Sequence, residues 1–155
     1  MNFLRFLTLP DRIIGNSTAF SLLALRLAVG GVFIMHGYQK AFEFGLKGTA
    51  DFLRSVNIPF ADLNAPLVIG TELIGGIMIV LGLATRWISI PLAFTMVVAF
   101  ITVHGNKGFF LATNGWEFVG VLFLGCISLL LSGAGALSLD ALIKGLGSEE
   151  FQTRG

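Results

Sequence analysis

Arg26, His36, Lys40, Glu72, His104 and Glu117 are the residues whose types could do acid–base or redox-coupled work, and they stand inside or at the ends of long apolar runs. An ionised side chain is costly in hydrocarbon, so such residues face a protein interior and take partners. Imidazoles and carboxylates together can donate to a carbonyl and carry its protons. The same set, two histidines with two carboxylates, is also suited to iron, copper or zinc, and His36 with His104 has the makings of a haem clamp.

The elements that hold them belong in lipid. Only 12% of the 155 residues are charged and 55% are hydrophobic, with a mean hydropathy of +0.87, against about 25% charged in a soluble domain. The net charge of +1 and the scatter of basic residues leave no footprint for nucleic acid. Cys126 is the one cysteine, so the chain has no disulfide, CxxC pair or CxxCH haem attachment. Neither GxGxxG nor a phosphate-binding GxxxxGK[ST] loop occurs. Redox chemistry would therefore draw on a bound quinone, a metal, a haem or a partner subunit. At the N-terminus, Arg5, Asp11 and Arg12 with Pro10 break the apolar stretch before it reaches signal-peptide length. That segment reads as an amphipathic stretch lying on the membrane surface.

A helix needs about 20 apolar residues to cross the bilayer core. Residues 19–40, 65–84, 87–104 and 116–131 qualify, and the chain is read as one integral membrane domain. Its expected fold class is all-α, a four-transmembrane-helix up-down bundle with short interfacial helices. Asn16, Ser17 and Thr18 offer N-caps to the first span, Pro66 falls in the first turn of the second, and Ser132-Gly133-Ala134-Gly135 stops the fourth. Within 43–64, too polar to cross, Asp51 to Val56 is expected as a short interfacial helix; Ser138 opens an amphipathic tail helix. No fixed-period repeat is present. Even span number puts both termini on one side, and Arg86 in the shortest loop weighs for the cytoplasm.

That topology gathers the reactive residues. His36 and Lys40 end the first span, His104 ends the third, Glu117 opens the fourth and Glu72 lies roughly 10 Å into the second, all in the half opposite the termini. At helical spacing Arg26, Phe33, His36 and Lys40 share one side; Glu72 shares a stripe with Gly75, Gly76 and Ile79; Glu117 aligns with Gly120, Val121, Leu124 and Ser128, with Cys126 opposite, toward lipid or another subunit. Glycines let a neighbouring backbone come close. Arg26 and Glu72 are expected to pair across the bundle.

Each residue has a plainer reading. An Arg26–Glu72 pair would also serve simply to fix register. Either histidine alone suits a hydrogen bond to a loop. Glu117 suits the helix dipole, Lys40 suits snorkelling, and Trp87 and Trp116 suit the aromatic belts. Convergence of ionisable residues from four helices exceeds what packing requires.

Arg26 with Gly30-Gly31-Val32-Phe33 and His36-Gly37-Tyr38-Gln39-Lys40, Glu72-Leu73-Ile74-Gly75-Gly76, and Leu81-Gly82-Leu83-Ala84-Thr85-Arg86 form an ordered series. His104 with Gly108-Phe109-Phe110, Trp116-Glu117-Phe118 and Gly133-Ala134-Gly135-Ala136-Leu137-Ser138-Leu139-Asp140 continue it. In order and spacing the series resembles the DoxX-like membrane proteins over roughly residues 20–143. The resemblance implies a four-helix protein of the bacterial cytoplasmic membrane. The family takes its name from a subunit linked to a thiosulfate:quinone oxidoreductase, and other members are associated with quinone or thiol stress responses.

The leading expectation is a quinone-linked oxidoreductase subunit. His36 or His104 would serve as donor and Glu72 or Glu117 as proton carrier, while Arg26, Lys40 and Phe33 bind substrate. Its partners would be the lipid bilayer, the quinone, a redox subunit or a second copy of itself. A non-catalytic accessory subunit and a metal- or haem-binding protein stay open beside it, although no residue is assigned as a metal ligand. A transporter fits poorly with four spans and no inverted repeat.

Overall fold

The computed structural model describes residues 17–145, and every regular element among them is helical. The N-terminal segment and the polar tail from residue 146 lie outside the described residues. Helix α1 is Thr18–Tyr38, α2 Gly45–Ser55, α3 Ala61–Leu81, α4 Thr85–Ala99 and α5 Glu117–Ser132. Wider π turns, Gln39–Phe44 and Phe100–His104, extend α1 and α4. Residues 139–145 are again helical.

Three stretches, Thr18–Ser55, Ala61–Leu81 and Thr85–His104, are long and apolar enough to cross a membrane. Helix α5 is equally apolar but has 16 residues, about 24 Å at 1.5 Å per residue. Helix α1 packs on α3, α3 on α4, α4 on α5 and α5 back on α1. A Cβ on Gly30 would meet Gly76 and Val80, whereas one on Gly37 would meet Leu73, so α1 and α3 run antiparallel. Val29 lies beside Gly125 and His36 beside Phe118, which gives α1 and α5 the same relation.

Small residues set the α1–α3 distance. A Cβ on Gly37 would lie 2.4 Å from the Leu73 nitrogen, and one on Gly76 would lie 2.7 Å from the Ile34 nitrogen. Only glycine permits backbones so near each other. The buried stripe of α3, Glu72-Gly75-Gly76-Ile79, is the one the spacing predicts. Phe33, Ile79, Leu92, Leu122, Cys126 and Leu129 fill the centre.

Several expectations are corrected. Helix α3 begins at Ala61 rather than 65, so Pro66 lies in its second turn, on an exposed side. The interfacial helix runs from Gly45 to Ser55, longer than Asp51 to Val56 suggested, and it packs Ala50 and Leu53 against Ala61 and Ala65 of α3. Gly45, at φ +67°, turns the chain there; a glycine takes that backbone without strain. In α5 the inward face is Val119, Leu122, Gly125, Cys126 and Leu129, while Val121, Leu124 and Ser128 are exposed. Cys126 is thus fully buried in the core, not turned to lipid or another subunit. The phase was inferred from Glu117, and Glu117 does not face the centre.

Candidate functional site

Tyr38 ends the regular part of α1, and Lys40 sits in the π turn that follows. Such turns, one residue wider than an α turn, recur at functional sites. Here the widened backbone is secured by Thr49 of α2, whose hydroxyl donates to the Lys40 carbonyl at 3.1 Å. The Lys40 Nζ is thereby held over α3, where it donates to Glu72 Oε2 at 2.5 Å. Little of either side chain reaches the outside, 19% for Lys40 and 6% for Glu72. Opposite charges at this separation are what makes two ionised groups tolerable away from water.

The pair forms part of the wall of a cavity of about 890 Å³. Phe33, His36 and Lys40 of α1 and its extension line it, with Thr71 and Glu72 of α3, Thr95 and Val98 of α4, and Phe118 and Leu122 of α5. His104, in the second π turn, also lines it. The two widened turns therefore present Lys40 and His104 to one space. Ligand pockets are commonly about 300–1,000 Å³, mostly apolar, with a few convergent polar groups.

The two imidazoles differ in their commitments. His104 Nδ1 lies 2.8 Å from the Asn114 carbonyl. A carbonyl oxygen only accepts, so Nδ1 carries hydrogen and Nε2 is the other ring nitrogen. The His36 ring stands 6.2 Å from the Phe118 ring, centroid to centroid, and among the described residues it makes no hydrogen bond. Its nitrogens are an uncommitted donor and acceptor in the cavity wall, beside the Lys40–Glu72 pair.

Arg26 and Glu117 lie elsewhere. The expected Arg26–Glu72 pair does not form: Arg26, 1% exposed, donates through Nη2 to the Leu137 carbonyl, and Asp140 supplies the opposing charge. Asp140 in turn accepts from the Ala84 and Thr85 amides at 2.7 and 3.1 Å, capping α4. Arg26 thus belongs to the terminal side, where the segment after α5 folds back. Register separates the expected partners: Arg26 lies against Gly82 and Gly37 against Leu73, so Glu72 is level with the end of α1, where Lys40 stands, and about 15 Å along α3 from Arg26. Glu117 accepts from the Leu111 amide at 2.6 Å and closes the 105–116 loop. It is outside the cavity wall.

Thr49, Asn114 and Phe118 are parts of the site that residue types alone do not indicate. Thr49 and Asn114 act through backbone carbonyls, which leave no pattern in residue types. Among the described residues no three His, Cys, Asp or Glu side chains converge around a point that would hold a metal ion. Glu72 is engaged with Lys40, and His104 Nδ1 with Asn114. For a quinone the fit is better. The cavity offers an apolar volume, His36 free to bond an oxygen, and a charge pair at the wall.

The architecture, with three stretches long and apolar enough to cross a membrane, defines an all-helical, multi-pass membrane protein. The DoxX family model matches residues 21–105, and the chain belongs to that family. It is 35% identical to "Putative oxidoreductase CatD" of Bacillus subtilis (strain 168), over 83% of this chain and 90% of that protein. It is 32% identical to the inner membrane protein YphA of Escherichia coli (strain K12), over 90% and 99%. An uncharacterized membrane protein of Mycobacterium tuberculosis (strain ATCC 25618 / H37Rv), Rv3486, is 35% identical over 77% and 79%. No solved structure matches the chain. The protein is a multi-pass inner-membrane protein.

Proposed function

We propose that this chain is a quinone-linked oxidoreductase subunit whose apolar helices, α1, α3, α4 and α5, cross the inner membrane as an up-down bundle. The observation that carries the reading is the Lys40–Glu72 pair in the wall of an apolar cavity, with His36 uncommitted beside it. Support also comes from the oxidoreductase named among the relatives. A bound quinone would supply two-electron chemistry, its two carbonyl oxygens taking up protons as the ring is reduced.

The residues of the chain have distinct tasks in this reading. His36 would donate a hydrogen bond to a ring oxygen and supply its proton. Glu72 would relay the replacement proton, and Lys40 holds its carboxylate in position through their bond. Phe33 and Phe118, both in the cavity wall, would pack on the ring and exclude water. His104 stands at the outer end of the cavity, fixed by Asn114, in position to pass protons from the surface. Electrons come from a partner subunit or soluble donor. Arg26 and Glu117 support the fold.

The test is binding of a short-chain ubiquinone or menaquinone analogue to the protein in lipid nanodiscs. Saturable binding, weakened about tenfold in Glu72→Gln and His36→Leu, is expected. Binding unaltered in both folded variants would reject the assignment. Purification with a stoichiometric partner but no quinone binding would favour an accessory role.

A further inference from the structure

We propose that the seam between α3 and α4 is a lateral portal, through which the ligand's hydrocarbon chain stays in the lipid while its polar ring reaches Lys40–Glu72 and His36. The inference rests on the quinone reading of the cavity and adds the route and the ligand class: a ring carrying a long apolar chain, such as a polyprenyl group.

The seam is a wedge. Toward the terminal side it is shut, since a Cβ on Gly75 would already lie 3.1 Å from Ile88 and 3.3 Å from Leu92. Toward the other side, Leu67 and Thr71 on α3 and Phe94 and Val98 on α4 all line the cavity. At its lips Leu67 and Phe94 are 58% and 65% exposed, on helices long and apolar enough to meet lipid.

The wedge is also chemically graded. On α4 the hydroxyls of Thr95 and Thr102 are bonded to the carbonyls of Leu92 and Val98 in their own helix. Those groups are thus satisfied without a ligand, as membrane helices require. The charge pair and His36 come from behind, off α1, its π turn and α3. A molecule with one polar end and one apolar end matches this gradient in a single orientation, head inward and chain toward the lips.

The test uses the full-length protein in nanodiscs and two probes. One is a benzoquinone with a decyl chain bearing a terminal diazirine; the other is a chainless dimethoxy-methyl-benzoquinone. Light-driven labelling of the wild-type protein should be saturable, displaced by the chainless quinone, and map to 67–71 and 94–98. In Val98→Trp, affinity for the chain-bearing probe should fall about tenfold further than affinity for the chainless quinone, and an equal loss for both probes would overturn the portal. Displaceable labelling confined to the 105–116 loop, or to α1 and α5, would overturn the portal and leave the quinone reading standing. Absence of displaceable labelling together with no binding of the chainless quinone would overturn both.

Discussion

Gly82 leaves the space that Arg26 fills: a Cβ on Gly82 would lie 1.9 Å from the arginine Nη1. The glycine also stands at φ +69°, where it ends α3 in a left-handed turn. Two requirements, one steric and one conformational, thus meet at a residue that carries no side chain. The buried guanidinium beneath it bonds Leu137 and, through that carbonyl, ties the segment after α5 to α1.

Gly82→Ala should therefore displace Arg26 and destabilise the protein by about 2 kcal/mol or more, the combined scale of a strained backbone and a disturbed buried polar contact. Gly70→Ala is the matched control. It lies inside α3 with nothing within 4 Å of its would-be Cβ, so replacing a helix-interior glycine should be neutral or slightly stabilising. Thermal unfolding in detergent compares the two. Equal behaviour would show that Arg26 is not held as described.

At the opposite side, Lys40 and Glu72 depend on each other. Removing one partner leaves a charge in a low-dielectric place, whereas removing both removes the problem. Glu72→Gln and Lys40→Met should each destabilise by about 2 kcal/mol, a value below that of a wholly buried pair because Lys40 is partly open. The double variant should recover much of the loss. A thermodynamic cycle on unfolding gives the coupling, and strictly additive losses would mean that the two charges do not meet.

The close α1–α3 approach makes Gly37 sensitive in another way. A methyl there would press 2.4 Å from backbone, which cannot rotate aside. Gly37→Ala should push the helices apart and shift Lys40, three residues on, away from Glu72. Gly31→Ala, with open space around its would-be Cβ, should be tolerated. Folding yield in the membrane separates them, with a severalfold loss expected for Gly37→Ala alone.

The parts legible from residue types were those governed by lipid exclusion and helical period. Charges inside apolar runs required a bundle. The stripe of Glu72, Gly75, Gly76 and Ile79 identified the buried side of α3. Phe33, His36, Lys40, Glu72 and His104 do share one cavity. What escaped depends on backbone. A guanidinium can end on a carbonyl as readily as on a carboxylate, so the Arg26–Leu137 bond required knowing how the chain returns after Gly133. The π turns add a residue without a residue-type signature, and the α1–α3 register, which sets Arg26 against Gly82 and Gly37 against Leu73, decides that Lys40 rather than Arg26 meets Glu72. Helix α5 turns inward a different face from the one that a phase set by Glu117 predicts, because its one charged residue does not seek the centre. Glu117 instead satisfies the Leu111 amide.

That bond leads to a prediction separating loop support from proton carriage. Glu117 opens α5, where a negative charge suits the helix dipole, and its Oε1 takes the Leu111 amide hydrogen. The loop it closes is also held by backbone bonds, among them those from Gly115 to Phe110, from Trp116 to Gly108 and from Glu117 to Phe109, and by the His104–Asn114 bond. Glu117→Gln keeps an oxygen acceptor and should leave the loop nearly intact, whereas Glu117→Ala removes it. Amide hydrogen exchange at Leu111 should therefore quicken by about tenfold in Glu117→Ala, the effect of losing roughly 1.4 kcal/mol of local protection, and little in Glu117→Gln. Quinone-analogue affinity should stay within about twofold in Glu117→Gln, because the carboxylate is outside the cavity. A large affinity loss in Glu117→Gln with unchanged exchange at Leu111 would put Glu117 back among the proton carriers and remove it from the loop's support.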